Sequence, residues 1–201
     1  MKKFLKKGLP WMLAAVVLVT ALILALVQCQ SQERDMPTLT VETPQKLSKA
    51  ETTEFTLDVT ISNLGDALYP AMSMSIAFDA SRMEFLGVEE GNVFVYDTEN
   101  TTGQQLPEWS YDVASSNASG KINIMYLDLT SGKHAFSKNL LAEEDNVVLR
   151  LRFRLKGSVR VGDVMDLIVE DAVFAASDET LSLATTRNTL RVRNGKLVIG
   201  E

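Results

Sequence analysis

Residues 71–91, AMSMSIAFDASRMEFLGVEEG, decide the fold. Met72, Met74, Ile76 and Phe78 alternate with Ala71, Ser73, Ser75 and Ala77. A period of two is the signature of a strand with one buried face. Asp79-Ala80-Ser81-Arg82 follows as a turn, because Asp and Ser side chains can bond to nearby backbone. A second apolar run, Met83 to Val88, stops at Glu89-Glu90-Gly91. The stretch is therefore expected to form two strands joined by a tight turn.

Outward from this hairpin the pattern continues. Leu39–Glu42 is strand-length. In Glu54–Asn63, EFTLDVTISN, the residues Phe55, Leu57, Val59 and Ile61 point one way. They are expected to pack against Met72, Met74, Ile76 and Phe78 from a facing sheet. Further strand candidates are Trp109–Val113, Lys121–Leu129, Val147–Lys156, Val164–Val169, Val173–Ala175, Leu190–Val192 and Leu197–Ile199. Asn92–Glu108 reads as a long polar loop and Ser115–Gly120 as a turn cluster. Only Phe136–Glu144 offers a helical turn. Many short strands with little helix indicate an all-β sandwich or barrel.

The N-terminus is of another kind. Lys2, Lys3, Lys6 and Lys7 precede an uncharged apolar run from Leu9 to Val27. At 1.5 Å per residue, about 19 residues cross a hydrocarbon core of about 30 Å. Basic residues before the run orient the rest of the chain outward. The expected organisation is a basic cytoplasmic tail (1–8), a transmembrane signal anchor (9–28), a short linker (29–36) and one domain (37–201). A cleaved signal peptide is the alternative, although no A-x-A site follows the run. Cys29 lies where a lipoprotein would carry its lipidated cysteine, but Gln28 before it is not small. As the only cysteine, Cys29 allows no intrachain disulfide, so the domain must be held by its core.

The chain carries 26 acidic and 20 basic residues. With the N-terminal lysines set aside, the exported part is clearly acidic. That argues against nucleic acid or anionic lipid as its principal partner.

Several further stretches, with 71–91, resemble the cohesin family of bacterial cell-surface scaffolds. Ser119–Gly132, SGKINIMYLDLTSG, is similar to that family's G-K-I-x-I-x-F-L-D-x-T-x-G strand. Val147–Gly157, VVLRLRFRLKG, resembles the strand ending in K-G. Phe174-Ala175 resembles an F-A-D segment, and Asn194–Gly200, NGKLVIG, the closing strand. The resemblance implies a nine-stranded jelly-roll β-sandwich. It also implies a non-catalytic module that docks dockerin-like modules of polysaccharide-degrading enzymes through one sheet.

The residues offer little chemistry of another sort. His134 is the single histidine and reads as a solvated loop residue. Neither a metal constellation nor a nucleophile elbow is present in the sequence, so no catalytic residue, metal or cofactor is expected. Asp163, Asp166, Glu170 and Asp171 lack the spacing of a calcium loop. Arg150, Arg152 and Arg154 form a basic stripe expected to face Glu54 and Asp58 on a neighbouring strand.

Two candidate binding sets remain. Lys121–Leu129 is apolar on both faces: Met125, Leu127 and Leu129 on one, Ile122, Ile124 and Tyr126 on the other. Only one face can meet the core of a two-layer sandwich. The second set is expected either to be exposed as a patch or to lie under loop 92–108. In the cohesin resemblance this strand neighbours Ala71–Ala77 in the dockerin-facing sheet. The expected partner surface is Ala71, Ser73, Ser75, Ile122, Ile124, Tyr126, Asp128, Thr130 and Gly132. Cohesins often carry Asn and Asp where this chain has Ala71 and Ser73, a departure that weakens the case for standard dockerin recognition. A carbohydrate-binding module, with Trp109 and Tyr111 stacking on a polysaccharide, is the second reading. A structural subunit of an envelope complex is the third. On each, the domain is displayed outside a bacterial cell membrane.

Overall fold

The computed structural model describes residues 18–20, 36–49, 54–93, 108–138 and 146–201. The expected membrane anchor, Cys29 and most of loop 92–108 lie outside the described residues. Among those described, no helix is long and apolar enough to cross a membrane. Residues 37–201 form a compact unit of their own.

That unit is a two-sheet sandwich. The first sheet runs β11(Arg191–Arg193), β1(Thr38–Val41), β3(Glu54–Ser62), β8(Val147–Leu155) and β5(Met83–Glu90). The second runs β2(Leu47–Ser48), β12(Gly195–Gly200), β9(Val164–Ala175), β4(Ala71–Ala77), β7(Lys121–Leu127) and β6(Glu108–Ser110), with β10(Leu183–Ala184) paired to β9. The described residues thus hold twelve strands, against the nine expected. The surplus includes pieces of two residues, β2 and β10, too short to show a period.

The core forms where the two period-two faces meet. Leu57, Val59 and Ile61 of β3 and Met72, Met74 and Ile76 of β4 are buried, with Phe55 packed at the edge, as their alternation predicts. Phe153 gathers the aromatic end, with its ring 5.4 Å from Phe78, 5.7 Å from Phe85 and 5.8 Å from Phe55. The 79–82 turn is closed as read: Asp79 Oδ1 accepts from the Ser81 backbone N–H at 3.0 Å.

Two local readings change. Ser115–Gly120 is not a turn cluster but most of a short helix, α1(Val113–Ser119). Asp112 caps it by accepting from the Ser115 N–H, and Gly120 ends it in the left-handed region at φ 70°. Ser116 and Ser119 fold their hydroxyls back onto carbonyls four residues earlier. Asn117 bonds to both the N–H and the C=O of Phe85, which fastens α1 to β5. Ser116, Asn117 and Ser119, which favour turns in isolation, thus spend their side chains on bonds that hold this helix. Of the proposed helical segment Phe136–Glu144, residues 139–144 lie outside the described residues, and 136–138 are not helical.

Val164–Val169 and Val173–Ala175, read as two strands, are one twelve-residue strand, β9. The register against β4 shifts between Ser75 and Ile76. At this bulge Glu170 and Asp171 are exposed in succession, which interrupts the alternation.

Candidate functional site: a trough on the outer face of the second sheet

Strand β7 lies beside β4 in the second sheet, as the resemblance implied. Its faces are reversed from the expectation. Ile122, Ile124 and Tyr126 are 0%, 1% and 1% exposed, and stand opposite Ile76, Met74 and Met72. Residues directly opposite on antiparallel strands share a face, so all six enter the core. Tyr126 lies between Trp109 at 4.7 Å and Phe136 at 4.8 Å, and its hydroxyl donates to the His134 carbonyl at 2.6 Å. These three residues are not a docking patch. Met125 and Leu127 face outward instead, 62% and 45% exposed, with Leu129 just beyond the strand.

The outward residues form three level rungs across β7, β4 and β9. The first is Leu127–Ala71–Ala175, the second Met125–Ser73–Val173, the third Asn123–Ser75–Asp171. The middle position is small in every rung. A channel therefore runs along β4, walled by β7 on one side and by Val173 and Asp171 of β9 on the other, and open on the β9 side at Ala175. Strands lie about 4.8 Å apart, so its walls stand about 10 Å apart. That matches an α-helix, about 10–12 Å across with its side chains. A hollow of about 240 Å³ sits at the first two rungs. Another of about 290 Å³ sits at the second and third. In the polar rung Ser75 Oγ donates to Asn123 Oδ1 at 2.7 Å, and Thr185 Oγ1 donates to Asp171 Oδ1 at 2.8 Å. Lys121, two residues beyond Asn123 on β7, pairs with Glu170 at 2.6 Å.

Asp128, Thr130 and Gly132 do not line the channel with free groups. They form a self-bonded loop at its apolar end. Asp128 is buried and accepts from the Thr130 N–H at 2.7 Å, the Gly132 N–H at 2.8 Å and the Thr130 hydroxyl. Burial pushes its carboxyl up, but the hydrogen bonds from Thr130 and Gly132 outweigh this and hold it below the usual carboxylate range. Gly132 takes φ 89°, which favours glycine. His134 is not simply solvated: its Nδ1 lies 2.8 Å from Thr130 Oγ1. The Asp128 N–H donates to the Pro70 carbonyl at 2.7 Å, which ties the loop to the start of β4.

Trp109 and Tyr111 do not share a strand face, because β6 ends at Ser110. The Trp109 indole leans on Tyr126, while the Tyr111 ring meets Phe85 edge-on at 6.1 Å. They make no flat pair for a sugar ring.

The outward half of β7 is what the sequence reading missed. Its signal was present: Met125 and Leu127 share parity with Lys121 and Asn123, and the set containing polar residues is the solvent set.

Among solved structures the chain is similar to the OlpA cohesin of Clostridium thermocellum in complex with a dockerin, at 15% identity and a TM-score of 0.56, covering 82% of this chain and 99% of that one. It is similar to the sixth cohesin of scaffoldin B from Acetivibrio cellulolyticus, in complex with a mutant Cel5 dockerin (16%, TM-score 0.54, 82% and 99% covered). It is also similar to a type III cohesin module from the cell-surface anchoring scaffoldin of Ruminococcus flavefaciens (15%, TM-score 0.51, 83% and 88% covered). At such identities the likeness is one of fold. No curated protein sequence matches the chain. The family model of the cohesin domain matches residues 38–191. With the sandwich that these residues build, this match shows that the chain belongs to the cohesin family.

Proposed function

We propose that this protein is a non-catalytic docking module that receives a helix of a dockerin-like protein partner in the channel along β4. One observation carries the reading: Met125 and Leu127 stand exposed beside a row of small residues on the outer face of a well-packed sheet. Exposed apolar side chains grouped on one face mark a partner site. Their desolvation supplies affinity, while Ala71, Ser73 and Ser75 let a helix approach the sheet closely. Asp128, Thr130 and Gly132 act by shaping the loop at the channel's end. The lysine-flanked N-terminal run is taken to anchor the domain on the outside of the cell membrane, with residues 37–201 displayed. Similarity to cohesins solved with dockerins supports the choice of partner class.

The test is a binding titration of the full chain in detergent against a panel of dockerin modules. Leu127→Asp should abolish capture with an unchanged denaturation midpoint. Binding that survives this substitution would place the partner elsewhere. N-terminal sequencing of the protein from cells checks the anchor: a mature start near Gln30 would sink it.

A further inference from the structure

The channel is not uniform along its length. Its first rung, Leu127–Ala71–Ala175, holds only apolar side chains. Its third, Asn123–Ser75–Asp171, holds only polar ones. The second, Met125–Ser73–Val173, is mixed. The charges at the polar end are unequal. Glu170 is neutralised by Lys121, and in the register Lys196 stands opposite Asp166. Asp171 accepts one hydrogen bond from Thr185, but no basic side chain of the described residues forms an ion pair with it. The bulge in β9 turns this carboxylate outward at the channel wall.

Resting on the docking reading above, we infer that the partner's helix bears an apolar residue and, seven or eight residues away along it, a lysine or arginine. The apolar side chain fills the hollow between Ala71, Leu127 and Ala175. The cation meets Asp171. The spacing follows from geometry: four residue steps of β4, Ala71 to Ser75, separate the two ends, about 14 Å at 3.4 Å per residue. Seven or eight residues of α-helix advance about 11–12 Å, and a long basic side chain spans the rest. A partner helix with an acidic residue at that position would meet Asp171 with like charge, so the same site rejects it. Recognition is thus apolar at one end and charge-selective at the other, and the polar anchors absent at Ala71 and Ser73 are not required.

The experiment selects a phage-displayed library of dockerin modules, randomised on the exposed positions of one helix, on the immobilised full chain in detergent. The expected binders carry the apolar–basic pair at this spacing, and Asp171→Lys weakens them about tenfold or more. Selection on the Asp171→Lys protein should return Glu or Asp at the same position. Binders that are lost with Leu127→Asp but indifferent to Asp171→Lys would overturn this inference and leave the docking face standing. A library that yields no binder, or binders insensitive to Leu127→Asp, would overturn the docking reading and this inference with it.

Discussion

The two outer faces of this sandwich solve the same problem in opposite ways. On the first sheet, Arg150, Arg152 and Arg154 of β8 lie between acidic residues on both neighbouring strands. Arg150 pairs with Asp58 at 3.2 Å, Arg152 with Glu89 at 3.2 Å, and Arg154 with Glu54 and with Glu84 at 3.2 Å. Each arginine is answered within the domain. On the second sheet the corresponding rows hold Met125 and Leu127 beside Ala71 and Ser73, with nothing in the described residues to answer them. A face that satisfies itself has little to offer a partner. A face that leaves apolar surface in water gains free energy when that surface is covered. The contrast, rather than either face alone, points to the second sheet as the working one.

The largest test asks whether the two sides of β7 differ as described. Tyr126→Ala removes the ring between Trp109 and Phe136 and the bond to the His134 carbonyl. Large-to-small changes of a buried aromatic cost about 3–5 kcal/mol. The urea midpoint should fall accordingly. A midpoint that barely moved would mean that Tyr126 is not core and that the inner and outer faces of β7 are misassigned.

Next in size is the loop that ends the channel. Asp128→Ala leaves the N–H groups of Thr130 and Gly132 without their acceptor and should cost about 2–3 kcal/mol at neutral pH. The folded-state pKa of Asp128 is depressed. Its contribution is therefore fully present above the unfolded value of about 3.9 and is lost as pH falls through the lower folded value. The gap in stability between wild type and Asp128→Ala should then close below about pH 4. A gap that stayed constant with pH would mean that the side chain acts through packing and not through its charge.

The outer side of β7 comes third. Met125→Ser with Leu127→Ser should shift stability by no more than about 0.5 kcal/mol, as surface changes do. The same pair should weaken a dockerin partner by about 2 kcal/mol or more. Calorimetry and a binding titration on the same samples check both halves. A large fall in stability would mean that these side chains are structural, and the contrast between the two outer faces would fail.

Much of this was legible in the amino-acid order, and the omissions have physical causes. β3 and β4 could be read because strict alternation over seven or more residues has one meaning. The ion pairs of β8 with β3 could be read because Glu54 and Asp58 share a parity on an adjacent strand, whereas those with Glu84 and Glu89 of β5 were not foreseen. β7 was misread because its seven residues place apolar side chains on both faces, and only the parity of Met125 and Leu127 with Lys121 and Asn123 marks the solvent side. Its orientation is fixed by the register with β4, a long-range fact: Met72, Met74 and Ile76 pull Tyr126, Ile124 and Ile122 inward with them. Helix α1 was missed because its stabilising bonds come from Asp112 and Asn117, residues whose composition alone suggests a turn. β9 was split because Glu170 and Asp171 break the period at a bulge, and that interruption supplies the carboxylate on which charge selection rests.

The smallest expected effect completes the contrast. Arg150→Gln removes the pair with Asp58 and the bond to the Glu90 carbonyl at 3.1 Å. Both partners of the ion pair are roughly one-third exposed, so water already screens the attraction. Pairs of this kind contribute at most about 1 kcal/mol. The expected outcome is a midpoint lowered slightly at low salt and not at all in molar salt, where the Debye length falls to about 3 Å. Dockerin binding should be unaffected, because the arginine stripe and the channel lie on opposite outer faces. If Arg150→Gln instead lowered affinity without touching stability, the self-satisfied face would be a second interface, and pairing within a domain would no longer distinguish the idle face from the working one.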